Sequence, residues 1–178
     1  MKNDLRVLYK KIRNSIHSKK LDNLIYENII NMDIFKDCNS ILIYWSINDE
    51  VDTINIIRYC LNNNKNVYIP RCNNGMDFYL INSFDDLKIG KYNILESKLN
   101  DNNYNNSICI TPGICFDKSF YRLGYGKGYY DRFFKSYNGI KIGLCYDDCL
   151  IDDCNHDEYD KCVDIIVTDK RIIKRRTT

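Results

Sequence analysis

Hydrophobic residues recur at helical spacing over the first thirty positions. Leu5, Leu8, Ile12 and Ile16 form one set with Lys and Arg between them, and Leu21, Leu24, Ile25 and Ile29 form another. A helix returns a side chain to the same face every three to four residues, so both segments predict amphipathic helices. Beyond them the period changes. Ser40 to Trp45 is a short, nearly unbroken apolar run and predicts a buried strand. Asp52-Thr53 supplies capping side chains for a helix from Ile54 to about Leu61, which Asn62-Asn63-Asn64 ends. Asn66 to Pro70 predicts a second buried strand, Asp77 to Ile81 a third nearer an edge, and Ser107 to Thr111 a fourth stopped by Pro112-Gly113. The polar run from Leu99 to Asn106 reads as loop, Gly128 to Phe134 as helix, and Ile140 to Tyr146 and Val163 to Thr168 as the last strands.

Strands that alternate with helices and read as continuous apolar runs predict a three-layer α/β fold. Its sheet is mostly parallel, with helices on both faces. No repeat or linker divides residues 1–178, which read as one domain. Ligands of such sheets collect at the carboxyl ends of the strands, so the loops after Trp45, Thr111 and Tyr146 are expected to carry the chemistry.

Composition changes this picture in one place. The 178 residues include 23 Asn and no Ala, with only eight Gly and two Pro, so the placement of glycine is informative. The net charge of +2 excludes the basic surface of a dedicated nucleic-acid binder, and the basic stretch at residues 170–178 reads as a solvated tail. Nine cysteines without a Cys-x-x-Cys pair read as free thiols of a reducing compartment; Cys145, Cys149, Cys154 and His156 match no common zinc spacing. With neither a signal peptide nor a membrane span in the pattern, the expectation is a cytoplasmic protein.

Three of the eight glycines fall in Arg122-Leu123-Gly124-Tyr125-Gly126-Lys127-Gly128-Tyr129-Tyr130-Asp131. Alternating glycines let backbone N–H groups converge on an anion, and Arg122 and Lys127 add positive charge beside them. A phosphate cradle is the physical reading. It is not a Walker loop, because Gly128 follows Lys127 where Ser or Thr is needed, and the third glycine comes too early for a dinucleotide fingerprint.

This block, with Thr111-Pro112-Gly113-Ile114-Cys115-Phe116-Asp117 before it, closely resembles the 5-formyltetrahydrofolate cyclo-ligase family, also called methenyltetrahydrofolate synthetases. The resemblance extends to Lys2-x-x-Leu5-Arg6, Asn48 to Thr53, Ile69-Pro70-Arg71 and Asp160-x-x-Val163-Asp164-x-x-Val167-Thr168, in order over nearly the whole chain. It implies conversion of 5-formyltetrahydrofolate and ATP, with Mg²⁺, into 5,10-methenyltetrahydrofolate, ADP and phosphate. Lys2, Arg6 and the segment Arg122 to Tyr130 are then expected to hold ATP, with Arg122 and Lys127 catalytic. Trp45, Glu50 and Tyr129 are expected to contact the folate, and Asp131 and Asp160 to bind or orient Mg²⁺. Small molecules are the only partners expected, and the chain is expected to act as a monomer.

Such chemistry needs charge neutralisation and positioning more than a protein nucleophile, which suits a chain with only His17 and His156. Two other readings use the same residues: a folate- or nucleotide-binding protein without turnover, and a sugar-phosphate isomerase-like enzyme with Glu50 as its base. The chain departs from the family where a glycine of the turn before Arg122 is Phe120, which disfavours φ > 0 and predicts a different local loop. Ser97, Cys149, Asn155 and Tyr159 are further departures, replacing the usual Pro, Gln, Pro and His.

Overall fold

The computed structural model describes residues 1–177. The chain begins with helices α1 (Lys2–Ile16) and α2 (Lys19–Ile30) and the single-turn α3 (Asp33–Asp37). Strand β1 (Ser40–Ile43), helix α4 (Ile54–Asn62) and the hairpin β2 (Asn66–Asn73) and β3 (Gly75–Ile81) follow. A small hairpin, β4 (Leu87–Ile89) and β5 (Leu95–Ser97), leads to β6 (Ser107–Thr111). Then come β7 (Cys115–Asp117), β8 (Arg122–Leu123), α5 (Tyr129–Phe133), β9 (Ile140–Leu144), β10 (Leu150–Ile151), β11 (Ile165–Val167) and β12 (Ile172–Lys174).

Seven strands make the central sheet in the order β12-β11-β9-β6-β1-β2-β3. The five inner strands are parallel, and β3 and β12 are antiparallel edges. Period two sorts the strand residues between the faces. Ile41, Ile43, Ile108, Ile110, Ile142, Leu144, Ile165 and Val167 pack against residues of α2, α3 and α4. Leu42, Cys109 and Ile166 point the other way, into a layer shared by α5, the Leu5, Tyr9 and Ile12 stripe of α1, and residues of a three-stranded sheet, β10-β7-β8. Helices therefore lie on both faces, but on the second a small sheet shares the covering. That sheet escapes the apolar pattern because its strands have only two or three residues.

Several expectations are corrected. Leu8 and Leu24 are exposed at 50% and 43%, off their helices' buried faces. Buried Arg13 instead joins the inward side of α1. The first strand stops at Ile43, which leaves Trp45 in the loop beyond it. Thr53 sits at the start of α4 without capping it; Asp52 Oδ1 accepts the Ile54 N–H (2.9 Å). Pro70 is accommodated within β2 because it lies beyond the stretch paired with β1 and faces only β3. The basic tail is not wholly solvated: Ile172–Lys174 extend the sheet, while Arg171 Nε donates to Asp147 Oδ1 (2.7 Å). Residue 178 of that tail lies outside the described residues. Among the described residues no helix is long and apolar enough to cross a membrane.

Candidate active site

Strand order reverses between β1 and β6, since the chain moves from β1 outward to β2 on one side and returns to β6 on the other. A crevice at the carboxyl ends of two such strands is where open α/β sheets bind ligands. A cleft of about 790 Å³ opens there, lined by Tyr44, Trp45, Ile47 and Glu50 beyond β1 and by Pro112 and Gly113 beyond β6. The segment Arg122–Arg132 forms another wall, and Lys2 and Arg6 of α1 close it with Asp157, Tyr159 and Asp160. The loop after Tyr146 does not line it, contrary to expectation: Asp147 is turned to Thr168 and Arg171 instead.

The glycine segment leaves β8 and enters the single turn of α5. Gly126 has φ +94°, a conformation side chains rarely adopt. At Gly124 a Cβ would stand 2.4 Å from Arg122 Nη1, so the glycine keeps the Arg122 guanidinium folded over the segment. That guanidinium is nearly buried, lies 5.1 Å from the Tyr130 ring centroid and donates from Nη2 to Asp131 Oδ2 (3.2 Å). Its Nε has no partner among the described residues. Arg6 Nε donates to the Gly124 carbonyl (2.8 Å) and clasps the segment to α1.

The turn ahead of Arg122 keeps a left-handed residue even though phenylalanine occupies it. Phe120 has φ +69°, the left-handed conformation that its bulk disfavours. Its ring is buried, its N–H donates to the Asp117 carbonyl (2.9 Å), and its carbonyl accepts the Val163 N–H (2.9 Å). Burying a phenylalanine ring contributes about 1.5–3 kcal/mol, enough to offset the roughly 1–2 kcal/mol of the left-handed backbone. Asn155 has φ +55°, which proline cannot adopt, so the backbone here suits the asparagine it carries.

At the buried end of the cleft, Glu50 is 8% exposed. Its Oε2 accepts the Ile47 N–H (3.0 Å) and its Oε1 accepts the Tyr125 hydroxyl (3.0 Å). Burial pushes its carboxyl above the usual range, against the opposing pull of these bonds and of Arg13. Burial and the charge of Glu50 push the Tyr125 phenol up to about 12. Arg13 Nη2 donates to both Asp49 Oδ1 (2.8 Å) and the Tyr125 oxygen (2.9 Å). Tyr129 and Trp45, expected folate contacts, line the same cleft; Trp45 packs edge-on to Phe84 with centroids 5.5 Å apart.

The exposed end is looser. Lys2 Nζ donates to Asp157 Oδ2 (2.7 Å) and Asp160 Oδ2 (2.6 Å). Burial lowers the ammonium's pKa, but the two carboxylates outweigh it and raise the value overall. Lys127 Nζ donates to the Tyr92 hydroxyl (3.2 Å), which shares a hydrogen bond with the Tyr129 hydroxyl (3.0 Å). Asp131 and Asp160 both line the cleft, and Lys161 N–H donates to Asp131 Oδ1 (3.1 Å). Among the described residues no hydrogen bond engages Asp160 Oδ1. Hard carboxylate oxygens beside a glycine-rich segment with Arg and Lys fit a cation that retains waters and phosphate oxygens, as Mg²⁺ does. The described side chains that do cluster at metal-like distances are Asp117, Asp153 and His156. Asp117 already accepts N–H groups of Ser119, Tyr121 and Cys154, and the His156 ring stacks on Tyr121 at 3.6 Å. Cys145, Cys149 and Cys154 are buried.

The cleft thus gathers every residue expected to bind ATP, folate or Mg²⁺. Pattern reading misses Arg13, Tyr92 and Asp157. A signal for Arg13 does exist, because positions 2, 6 and 13 fall within a narrow arc of a helix turning 100° per residue. Tyr92 carries no comparable signal; its loop reaches the cleft only through the β4–β5 hairpin.

Comparison with known proteins bears on the family and the fold. A model of the 5-formyltetrahydrofolate cyclo-ligase family matches residues 1–169. A probable 5-formyltetrahydrofolate cyclo-ligase of Schizosaccharomyces pombe is 28% identical over 97% of each chain. The cyclo-ligase of Haemophilus influenzae is 29% identical over 80% of this chain and 83% of its own. The solved structure of Aquifex aeolicus 5,10-methenyltetrahydrofolate synthetase superposes with a TM-score of 0.87 at 27% identity, covering 99% of this chain and 94% of that one. With the family model matched over residues 1–169 and the fold shared, the chain belongs to the 5-formyltetrahydrofolate cyclo-ligase family.

Proposed function

We propose that the cleft closes 5-formyltetrahydrofolate to 5,10-methenyltetrahydrofolate at the expense of ATP. The observation that carries this reading is one hydrogen bond: Tyr125 of the phosphate-type segment donates to Glu50, a buried acceptor suited to a pterin. A nucleotide on the first and a folate on the second would meet within one 790 Å³ cleft.

A formamide oxygen is a poor leaving group. In the proposed reaction it attacks the γ-phosphorus of ATP, the bond to ADP breaks, and the formyl carbon becomes an iminium phosphate. Nitrogen ten then adds to that carbon and loses its proton, and phosphate departs with the former formyl oxygen. Arg122 and Lys127 supply positive charge to the transferring phosphoryl group, and Lys2 and Arg6 hold the remaining phosphates. Mg²⁺, when bound, neutralises phosphate charge, and Asp131 and Asp160 are the residues that would hold it. Glu50 accepts from the pterin's amino and ring N–H groups, while Trp45 and Tyr129 pack on its rings. Holding nitrogen ten against the activated carbon makes closure intramolecular.

The test is ATP-dependent appearance of the methenyl chromophore from 5-formyltetrahydrofolate with Mg²⁺, against a control without ATP. No chromophore from folded protein sinks the activity. Stabilisation by both ligands without ADP release would leave a binding protein that lacks turnover.

A further inference from the structure

Tyr125 belongs to both halves of the cleft. Its backbone lies between Gly124 and Gly126 in the segment assigned to phosphate, while its hydroxyl reaches the buried end. That hydroxyl donates to Glu50 Oε1 and accepts from Arg13 Nη2. Its ring stands 5.1 Å from Lys10 Nζ and 5.8 Å from the Arg13 guanidinium carbon. One helix therefore grips the segment twice: Arg6 holds the Gly124 carbonyl and Arg13 holds the Tyr125 hydroxyl. Each carboxylate oxygen accepts two hydrogen bonds, so Glu50 can keep its bond to Tyr125 and still receive a ligand's N–H groups.

We propose that Tyr125 is a positioning residue that couples the two substrate sites: its hydroxyl ties the phosphate segment to Glu50, so that nucleotide and folate bind with positive cooperativity. This rests on the function proposed above. Phosphates held by residues 124–128 fix the backbone on either side of Tyr125 and so fix its hydroxyl. A fixed hydroxyl holds the Glu50 carboxylate in orientation before the pterin arrives. The first ligand meets the ordering cost of the second, and linkage makes the effect reciprocal.

The experiment is calorimetric titration of 5-formyltetrahydrofolate into the wild type and into Tyr125→Phe, each with and without a non-hydrolysable ATP analogue and Mg²⁺. The wild type is expected to bind folate at least about fivefold more tightly with the analogue present, and the analogue correspondingly more tightly with folate. In Tyr125→Phe the two folate affinities should agree within about twofold, the size of a coupling too weak to count. A second readout is the pH at which folate binding fails. The groups around Glu50 are Arg13, Asp49, Tyr44, Tyr125 and Tyr130. Removing the Tyr125 hydrogen bond should move the failure to higher pH, because that bond favours the ionised carboxylate. Independent binding in the wild type, coupling retained in Tyr125→Phe, or an unmoved pH profile overturns the proposal. The reciprocal wild-type titrations decide it even if the variant is unstable. A wild type that binds neither ligand overturns the proposed function as well, whereas one that binds both independently overturns only the coupling.

Discussion

At the inner end of the cleft, buried Glu50 and Arg13 join half-buried Asp49 and the hydroxyl of Tyr125, a residue 46% exposed, in a chain drawn from three separate segments. At the exposed end, Lys2 bridges two carboxylates, one of them half exposed, and Lys127 meets the hydroxyl and ring of Tyr92. Both ends are polar, but they obey different physics. A group taken out of water must be partnered, so the buried end has little freedom and presents its remaining acceptor capacity in a fixed direction. That suits a planar ligand read by hydrogen bonds. Charges left in water cost little to rearrange and gain little from pairing, so the exposed end can exchange its present partners for an arriving polyanion. Arg122 stands between the two: buried like the first, paired with a carboxylate of the cleft wall like the second.

The strongest way to break this contrast is at that junction. Arg122→Ala is expected to lower kcat/KM by about 10²–10³-fold, the usual loss when a preorganised charge donor is removed. Steady-state turnover with saturating folate measures it, and wild-type turnover would refute the assignment. Next comes the buried end itself. Arg13→Met leaves Asp49 without its guanidinium and should destabilise the fold by about 3–5 kcal/mol, read by urea denaturation. A cost below about 1 kcal/mol would place this pair with exposed ones.

Glu50 sharpens the comparison by pH. Its carboxyl titrates above its ordinary value because it is buried, so folate affinity should fall as pH drops through that raised value. For stability the sign is opposite: the folded state binds the proton more tightly, so the contribution of Glu50 declines as pH rises from the ordinary carboxylate range towards the raised one. Glu50→Gln should abolish both dependences and weaken folate binding about tenfold, at the cost of one charged hydrogen bond. It should leave the affinity for the ATP analogue alone nearly unchanged. Calorimetric titrations across pH would detect either failure. The smallest structural effect belongs to the exposed end: Lys2→Met should leave the melting temperature essentially unchanged while weakening nucleotide binding, as thermal unfolding and titration together would report.

Much of the molecule was legible before its structure. Ser107–Thr111 is a strand over the expected residues because a fully buried inner strand reads as an unbroken apolar run. The glycine segment was legible for a related reason: in a chain poor in glycine, three within five positions mark backbone that cannot carry side chains freely. The small sheet of β7, β8 and β10 was not legible, since two- and three-residue strands complete no hydrophobic period. Nor was the turn at Phe120. Backbone sterics alone argue against a left-handed phenylalanine there, and the buried ring outweighs them.

Within the site the division is similar. The sequence by itself determined which residues carry charge, where the glycines cluster and where the inner strands run, because these are local properties of composition and period. Only the tertiary structure decided that Tyr125 touches Glu50, that Arg13 is turned inward to the Tyr125 hydroxyl and Asp49, and that Asp131 pairs with Arg122 and Asp160 with Lys2. Those contacts join residues from 9 to 158 positions apart. Their pairing depends on burial and on the packing of α1 across the sheet, which no local pattern records.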